Sequence, residues 1–177
     1  MTGLAPYYDG WRVTNDAIIA AIAPLSPEQL AIPIQKDWPV WASVSHLAGT
    51  RVYWLCHIFR EPGAETTPFN DPSGMGWEDD LTHPRSAGEL VRALESTFGI
   101  IEHTLATWTP ESLTLTARRP RGDTVQIHTR QSVLWRMITH DAYHSGEISL
   151  ALGSHGMTGG PNGPIDLWAG LSRPERT

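Results

Sequence analysis

The sequence predicts an all-α fold built on four long helices, and three observations support that prediction. Apolar residues recur at alternating spacings of four and three in four segments, which is the periodicity of a helix with one buried face. A segment rich in Pro, Gly and Asp, residues 61–85, separates the second helix from the third. At about 3.3 Å per residue it can cross over and return along a helix roughly 30 Å long. An alternating segment with a Gly-Asp turn, residues 113–129, predicts a small β-hairpin before the fourth helix.

The first half of the chain predicts two long helices joined by an extended stretch. The first helix is expected from Leu4 to Ala23, and its inward side chains are Leu4, Tyr8, Trp11, Asn15, Ile18 and Ile22. Asn15 interrupts this apolar stripe, either as a side chain bonded within the core or as a polar group that faces a site. Ser26–Gln29 is typical of an N-cap and a short helical turn, and a Pro-rich extended stretch follows. The second long helix is expected from Pro39 to a point before Pro62.

The second half predicts the remaining two helices. Ser86 and Glu89 form a capping-box pattern at the start of the third helix, which ends near Trp108. The fourth helix is expected from Arg130 to Leu152, with Gly153 ending it. Its inward stripe consists of Val133, Met137, His140, His144, Glu147 and Ala151.

The domain organisation expected from these elements is one domain over residues 1–153 and a Gly- and Pro-rich tail over residues 154–177. The tail contains an apolar group that is expected to pack on the domain or on a partner subunit. This group consists of Ile165, Leu167, Trp168 and Leu171.

Composition excludes several classes of protein. The 177 residues are 40% apolar with eight tryptophans, which is typical of a globular chain. A net charge of -6 and dispersed arginines argue against nucleic acid as a partner. No apolar run approaches the length of a membrane span or a signal peptide, so we expect a cytoplasmic protein. Cys56 is the only cysteine and lies in an apolar segment, which favours a buried structural thiol over a nucleophile.

Three histidines on the predicted inward faces indicate a metal site. His140 and His144 are four residues apart and therefore share one helix face, where two imidazoles can bind one cation. His46 lies on the inward face of the second helix and is the candidate third ligand. His57 is displaced by about 16 Å along that helix and is excluded. The alternative is that the histidines are core residues satisfied by hydrogen bonds.

A zinc-protease reading of H-D-A-Y-H (residues 140–144) is rejected on two grounds. Asp141 would replace the glutamate of the H-E-x-x-H motif, but it is shorter and lies about 100° from the histidine face. A glycine-rich tail also follows this helix where a further helix with a glutamate would be needed.

The motifs W-A-S-V-S-H-L-A, T-A-R-R-P-R-G-D-T-V-Q and M-I-T-H-D-A-Y-H-S-G-E-I resemble the DinB-like superfamily. This superfamily includes YfiT-type metal hydrolases, S-transferases that use mycothiol or bacillithiol, and a mycothiol-dependent maleylpyruvate isomerase. The resemblance implies an up-down-down-up four-helix bundle, often a homodimer, in which His46, His140 and His144 bind one divalent metal. The family typically has Gln where this chain has Glu147.

Two functions from different classes remain open at this stage. The first is a metal-dependent thiol S-transferase or hydrolase that acts on a small molecule, with zinc or nickel as the metal and a low-molecular-weight thiol as a possible co-substrate. The second is a non-enzymatic metal-binding scaffold of a stress response. The side chains expected to line a substrate cavity are Trp11, Asn15, Thr50, Tyr53 and Glu147.

Overall fold

The protein is mostly helical, with two small antiparallel hairpins. The computed structural model describes residues 3–70, 80–158, 164–167 and 170–171. In chain order, the α-helices are α1 (Asp9–Ile22), α2 (Pro27–Leu30), α3 (Val40–Val52), α4 (Ala87–Thr107) and α5 (Arg130–Ser154). The strands are β1 (Pro33–Gln35), β2 (Trp38–Pro39), β3 (Thr116–Arg121) and β4 (Thr124–Thr129).

The predicted N-cap of α2 and the predicted capping box of α4 are confirmed. Ser86 Oγ accepts the Glu89 backbone N–H, and the Glu89 carboxylate accepts the Ser86 backbone N–H at 2.8 Å. Ser26 and Gln29 make the same reciprocal pair. Two N–H groups that the first helical turn leaves without a partner are thereby satisfied at each helix.

The expected bounds of two helices differ from those observed. The chain from Ala5 to Tyr7 forms a separate 3₁₀ turn, so α1 begins at Asp9 and not at Leu4. Leu4 is nevertheless buried, and its N–H donates to the Leu105 carbonyl of α4 at 2.7 Å. At the other end of the chain, α5 continues through Gly153 to Ser154, and the left-handed residue after it is Gly156 with φ +82°. Only the latter glycine occupies the conformation that ends many helices.

The centre of the fold is α3, in which every residue except His46 is buried. This helix packs against both α4 and α5, and α1 packs against α4. It continues directly into a π-helical segment, Tyr53–Ile58, so the helical stretch has nearly the predicted extent. Cys56 lies buried in that segment, as expected for a structural thiol, and burial raises its pKa to about 11.

Both hairpins lie next to helices of the site. The predicted hairpin is confirmed as β3 and β4, which pair from Thr116 with Thr129 to Arg121 with Thr124 around Gly122 at φ +56°. The stretch expected to be merely extended also forms a hairpin, in which β1 pairs with β2. β2 leads directly into α3, and β4 leads directly into α5.

The described part of the tail lies against the helices. Ile165 is buried, and its N–H donates to Ser149 Oγ of α5 at 3.3 Å, while Leu167 packs on the core. Trp168 lies outside the described residues, and the division into domain and tail stays a prediction. Among the described helices, none is both long and apolar enough to cross a membrane.

Candidate metal site

Three histidine side chains meet between α3 and α5. Each offers one nitrogen, and these nitrogens all lie within 4.8 Å of one another. His46 Nε2 lies 3.1 Å from His140 Nε2. The ring centroids of His140 and His144 lie 4.4 Å apart, because the two residues are one helical turn apart on the same face of α5. The structure therefore brings together the three residues that the helical spacing selected.

The three histidines are partly buried and lie beside the first hairpin. His46 is the single partly exposed residue of α3, so the cluster lies where this central helix reaches solvent. The Trp38 ring lies 6.1 Å from the His46 ring, and the exposed Tyr143 ring lies 5.1 Å from the His144 ring. These two aromatic side chains flank the histidines and offer apolar surface to a molecule that approaches them.

Glu147 fixes the orientation of His144. Its Oε2 lies 2.8 Å from His144 Nδ1, and its Oε1 accepts a long hydrogen bond of 3.5 Å from Gln35 of β1. When His144 Nδ1 carries the proton and donates this hydrogen bond to the carboxylate, Nε2 of the neutral ring carries the free lone pair. A carboxylate in this place is a common partner of a metal-binding histidine.

Both histidines of α5 favour the neutral form. Burial lowers the pKa of His140 to about 3, and the neighbouring His144 and His46 add to the effect. Burial also lowers the pKa of His144, although the hydrogen bond to Glu147 opposes the shift. A neutral imidazole retains the lone pair that a metal ion needs, so neither ring has to lose a proton at neutral pH.

The donor set fits a divalent transition metal. Nitrogens bound to one cation at about 2.1 Å lie roughly 3.0 to 3.4 Å from one another, and the 3.1 Å between the Nε2 atoms of His46 and His140 falls in this range. A hydrogen bond between two imidazoles also accounts for that single contact. It does not account for the third ring, which is held beside them by Glu147. Three imidazoles suit zinc, nickel and similar ions.

A buried charged network lies directly behind the histidines. Arg51 of α3 and Asp141 of α5 are almost completely buried, and Arg51 Nη2 donates to Asp141 Oδ2 at 2.8 Å. Trp11 Nε1 of α1 donates to the same oxygen at 2.8 Å, and Arg51 Nη1 donates to Asn15 Oδ1 at 2.8 Å. The network thus connects α1, α3 and α5 beside the turn that carries His140 and His144.

The five residues predicted to line a cavity occupy different places. Trp11 and Asn15 belong to the buried network, and Thr50 is buried on α3. Tyr53 is half-buried and accepts a hydrogen bond of 2.9 Å from Arg119 Nε of β3, while Glu147 contacts His144. Their contact with a substrate stays a prediction.

The pairing of Arg51 with Asp141 was not predicted from the sequence. Asp141 follows His140, and its side chain points into the core and away from the histidines, as its position about 100° around the helix requires. An available signal was the placement of Arg51 among apolar residues of the second helix, since arginine is seldom buried without a partner. His57 is not part of the histidine cluster, and its ring lies 6.5 Å from that of Tyr53.

Comparison with protein families identifies a family to which the chain is similar. The chain matches the family described as the DinB superfamily over residues 11–148. The match spans α1 to α5 and includes all three histidines. No curated protein shows a significant match to the chain, and no solved structure does.

Proposed function

Because the chain belongs to the DinB superfamily and groups three imidazoles within reach of one cation, we propose that it binds one divalent metal ion through His46, His140 and His144. The proposed activity is that of a metal-dependent thiol S-transferase or hydrolase that acts on a small molecule. Zinc or nickel is the proposed metal, and a low-molecular-weight thiol is the proposed co-substrate of the transferase.

The observation that carries the proposal is the composition of the cluster. Among the described residues, no cysteine, aspartate or glutamate joins the three histidines as a fourth ligand. Structural zinc sites are usually closed by four protein ligands, whereas catalytic sites keep a position for water or substrate. The partial exposure of His46 supports an open position on the solvent side.

In the proposed reaction the metal ion would activate the nucleophile, and side chains of the protein would orient His144 and bind the substrate. A divalent ion in such a site lowers the pKa of a water or thiol at an open position, which supplies a nucleophile near neutral pH. Glu147 holds His144 in one orientation, and the hydrogen bond between Tyr143 and Glu147 raises the pKa of that phenol, which therefore stays protonated. Trp38 and Tyr143 provide the apolar walls against which a small substrate packs.

Family membership supports two further parts of the proposal. The helices α1, α3, α4 and α5 form an up-down-down-up bundle, and two chains assemble as a homodimer. A group of exposed apolar side chains on α5 supports the dimer, since such surfaces commonly mark interfaces. This group includes Trp135 and Leu150.

A metal-binding scaffold is the second candidate function. The observation that favours it is that the ligands come from two helices, so a bound ion would fasten α3 to α5. Turnover distinguishes the two functions, because both require the metal and only the first requires a reaction.

Metal analysis tests the site itself. Purified protein is expected to contain about one divalent metal per chain, and His140→Ala and His144→Ala are expected to lose it, since two imidazoles cannot replace three. His103→Ala is the matched control, because this histidine is exposed on α4 outside the cluster. Stoichiometric metal in both α5 variants would refute the proposed ligands.

A thiol-conjugation screen tests the activity. The metal-loaded protein is assayed with mycothiol, bacillithiol and glutathione against small electrophiles, and with hydrolase substrates in the absence of thiol. Turnover that disappears with the metal and in His144→Ala supports the enzyme. Intact metal binding with no turnover in any assay supports the scaffold.

A further inference from the structure

Three basic side chains surround the ring of Trp54, in the π-helical segment after α3. The guanidinium carbons of Arg119 of β3 and Arg136 of α5 each lie 5.0 Å from the Trp54 ring centroid. The His128 ring of β4 lies 4.8 Å from it. The two guanidinium groups are therefore no further apart than twice 5.0 Å, although they come from different elements.

Among the residues that the structure describes, no carboxylate neutralises the charges of these two arginines. Each of the other described arginines that lie over an aromatic ring also makes an ion pair. These pairs are Arg12 with Glu102, Arg51 with Asp141, and Arg130 with Glu61. Within the described ranges, neither Arg119 nor Arg136 has an acidic side chain within 4.0 Å, although the chain carries a net charge of -6. Two cations that lie close together repel each other, and attraction to a bound anion would offset this repulsion.

Arg119 is held in a defined orientation. Its Nε donates to the Tyr53 hydroxyl at 2.9 Å, and its Nη1 donates to Gln126 Oε1 at 3.4 Å. Because the Tyr53 oxygen accepts this hydrogen bond, its own O–H can donate to another acceptor. A guanidinium fixed in this way loses less conformational freedom when it binds a carboxylate or phosphate.

The basic cluster, Arg119, Arg136 and His128, lies close enough to the three histidines for one small molecule to contact both. Arg136 precedes His140 by one turn of α5, about 6 Å along the axis, and Trp54 follows His46 by eight residues, about 12 Å along its helix. His46 contacts His140, and Trp54 contacts Arg136. Trp54 and Arg136 are therefore displaced from the histidines in the same direction along the two helices. A small molecule can span this distance.

From this arrangement we propose that Arg119, Arg136 and His128 form an anion-binding site that holds the carboxylate or phosphate group of the substrate while its reactive atom lies at the histidine cluster. The substrate class is a small molecule with an anionic group about 6 to 12 Å from the reacting centre. The role in substrate binding rests on the proposed function, but binding of an anion at this place can be measured without any activity.

Titration calorimetry of the metal-loaded protein at low ionic strength tests the site, with inorganic phosphate and succinate as probes. Wild-type protein is expected to bind at least one probe with a dissociation constant of about 1 mM or lower. Arg119→Gln and Arg136→Gln are each expected to weaken binding by about tenfold, since each removes a charge-assisted hydrogen bond. Arg118→Gln is the matched control, because alternation places this exposed side chain on the other face of β3.

The same samples separate this inference from the proposed function. Their metal content is expected to match that of the wild-type protein, and their near-ultraviolet circular dichroism is compared to verify folding. No saturable binding to the wild-type protein, or equal affinity in both glutamine variants, overturns the anion site while the metal site stands. Binding that persists in both glutamine variants and is lost in metal-free His140→Ala places the anion on the metal, which also overturns the inference.

Discussion

Replacement of Asp141 by Asn removes the negative charge of the buried Arg51–Asp141 pair while it preserves the size of the side chain. The side chains of Arg51 and Asp141 are 0% and 1% exposed, and a single carboxylate oxygen accepts both Arg51 Nη2 and Trp11 Nε1. In Asp141→Asn, Arg51 keeps its charge in the core without a countercharge. The free energy of unfolding should therefore decrease.

The magnitude follows from the depth of burial. Removal of one partner of a buried ion pair costs about 3 to 5 kcal/mol. Asn can still accept one hydrogen bond, so we expect the lower end, about 3 kcal/mol. For a chain of this size each kcal/mol shifts the unfolding temperature by roughly 2 to 4 °C, which predicts a decrease of about 10 °C.

Urea and thermal unfolding of chelator-treated protein, followed by circular dichroism, measure the effect. Asp16→Asn is the matched control, because its ion pair with Arg12 is exposed at 3.7 Å, and its expected change is within about 0.5 kcal/mol. The double variant Arg51→Met, Asp141→Leu is expected to lose less than Asp141→Asn alone, because it leaves no unpaired charge. A loss below about 1 kcal/mol in Asp141→Asn would refute the reasoning that a buried charge depends on this carboxylate.

Two further predictions concern the histidines. Glu147→Gln is expected to lower metal affinity by about tenfold or more, because it removes the carboxylate at His144 Nδ1. Competition with a chelator measures the metal affinity, and an unchanged affinity would contradict the role of Glu147. In metal-free protein, the low pKa of His140 means that the unfolded chain takes up a proton before the folded chain does, so stability is lost as pH falls below about 6.5. Between pH 7 and 5 the decrease in the free energy of unfolding that is attributable to His140 is about 2 kcal/mol, and His140→Gln should lack this decrease. Urea unfolding measures both proteins across this pH range, and parallel pH profiles would contradict the assignment to His140.

Local signals in the sequence were sufficient for the helices and for the histidine cluster. Ser86 with Glu89 places a helix start because the capping box is completed within one turn. The spacing of His140 and His144 places both rings on one face for the same local reason. His46 was selected from the spacing along the second long helix, although it is the one residue of α3 that is not fully buried.

Features that depend on contacts between distant segments could not be predicted. In the second half of α5 the buried face carries Asp141, Ser145 and Ile148, whereas the predicted inward residues His140, His144 and Glu147 are only partly buried. The predicted stripe therefore did not include Asp141, and periodicity does not show which residue of another helix a face meets, so the pairing of Arg51 with Asp141 was missed. The β1–β2 hairpin was missed because its prolines favour extended backbone without specifying a partner strand. Arg119 and Arg136 are 17 residues apart in sequence, and their meeting at Trp54 requires the packing of three elements.

The number of residues in the π-helical segment Tyr53–Ile58, as well as their identity, sets the direction of the side chains that follow it. A π-helical turn holds more residues than an α-helical turn. The segment therefore accommodates an extra residue while the residues up to Val52 keep their contacts with α4 and α5. Each residue of an α-helix turns the chain by about 100°, and loss of one residue would redirect every side chain beyond it. Deletions in the segment are therefore expected to be less tolerable than substitutions, because they would redirect Phe59, whose ring lies 5.5 Å from that of Trp108.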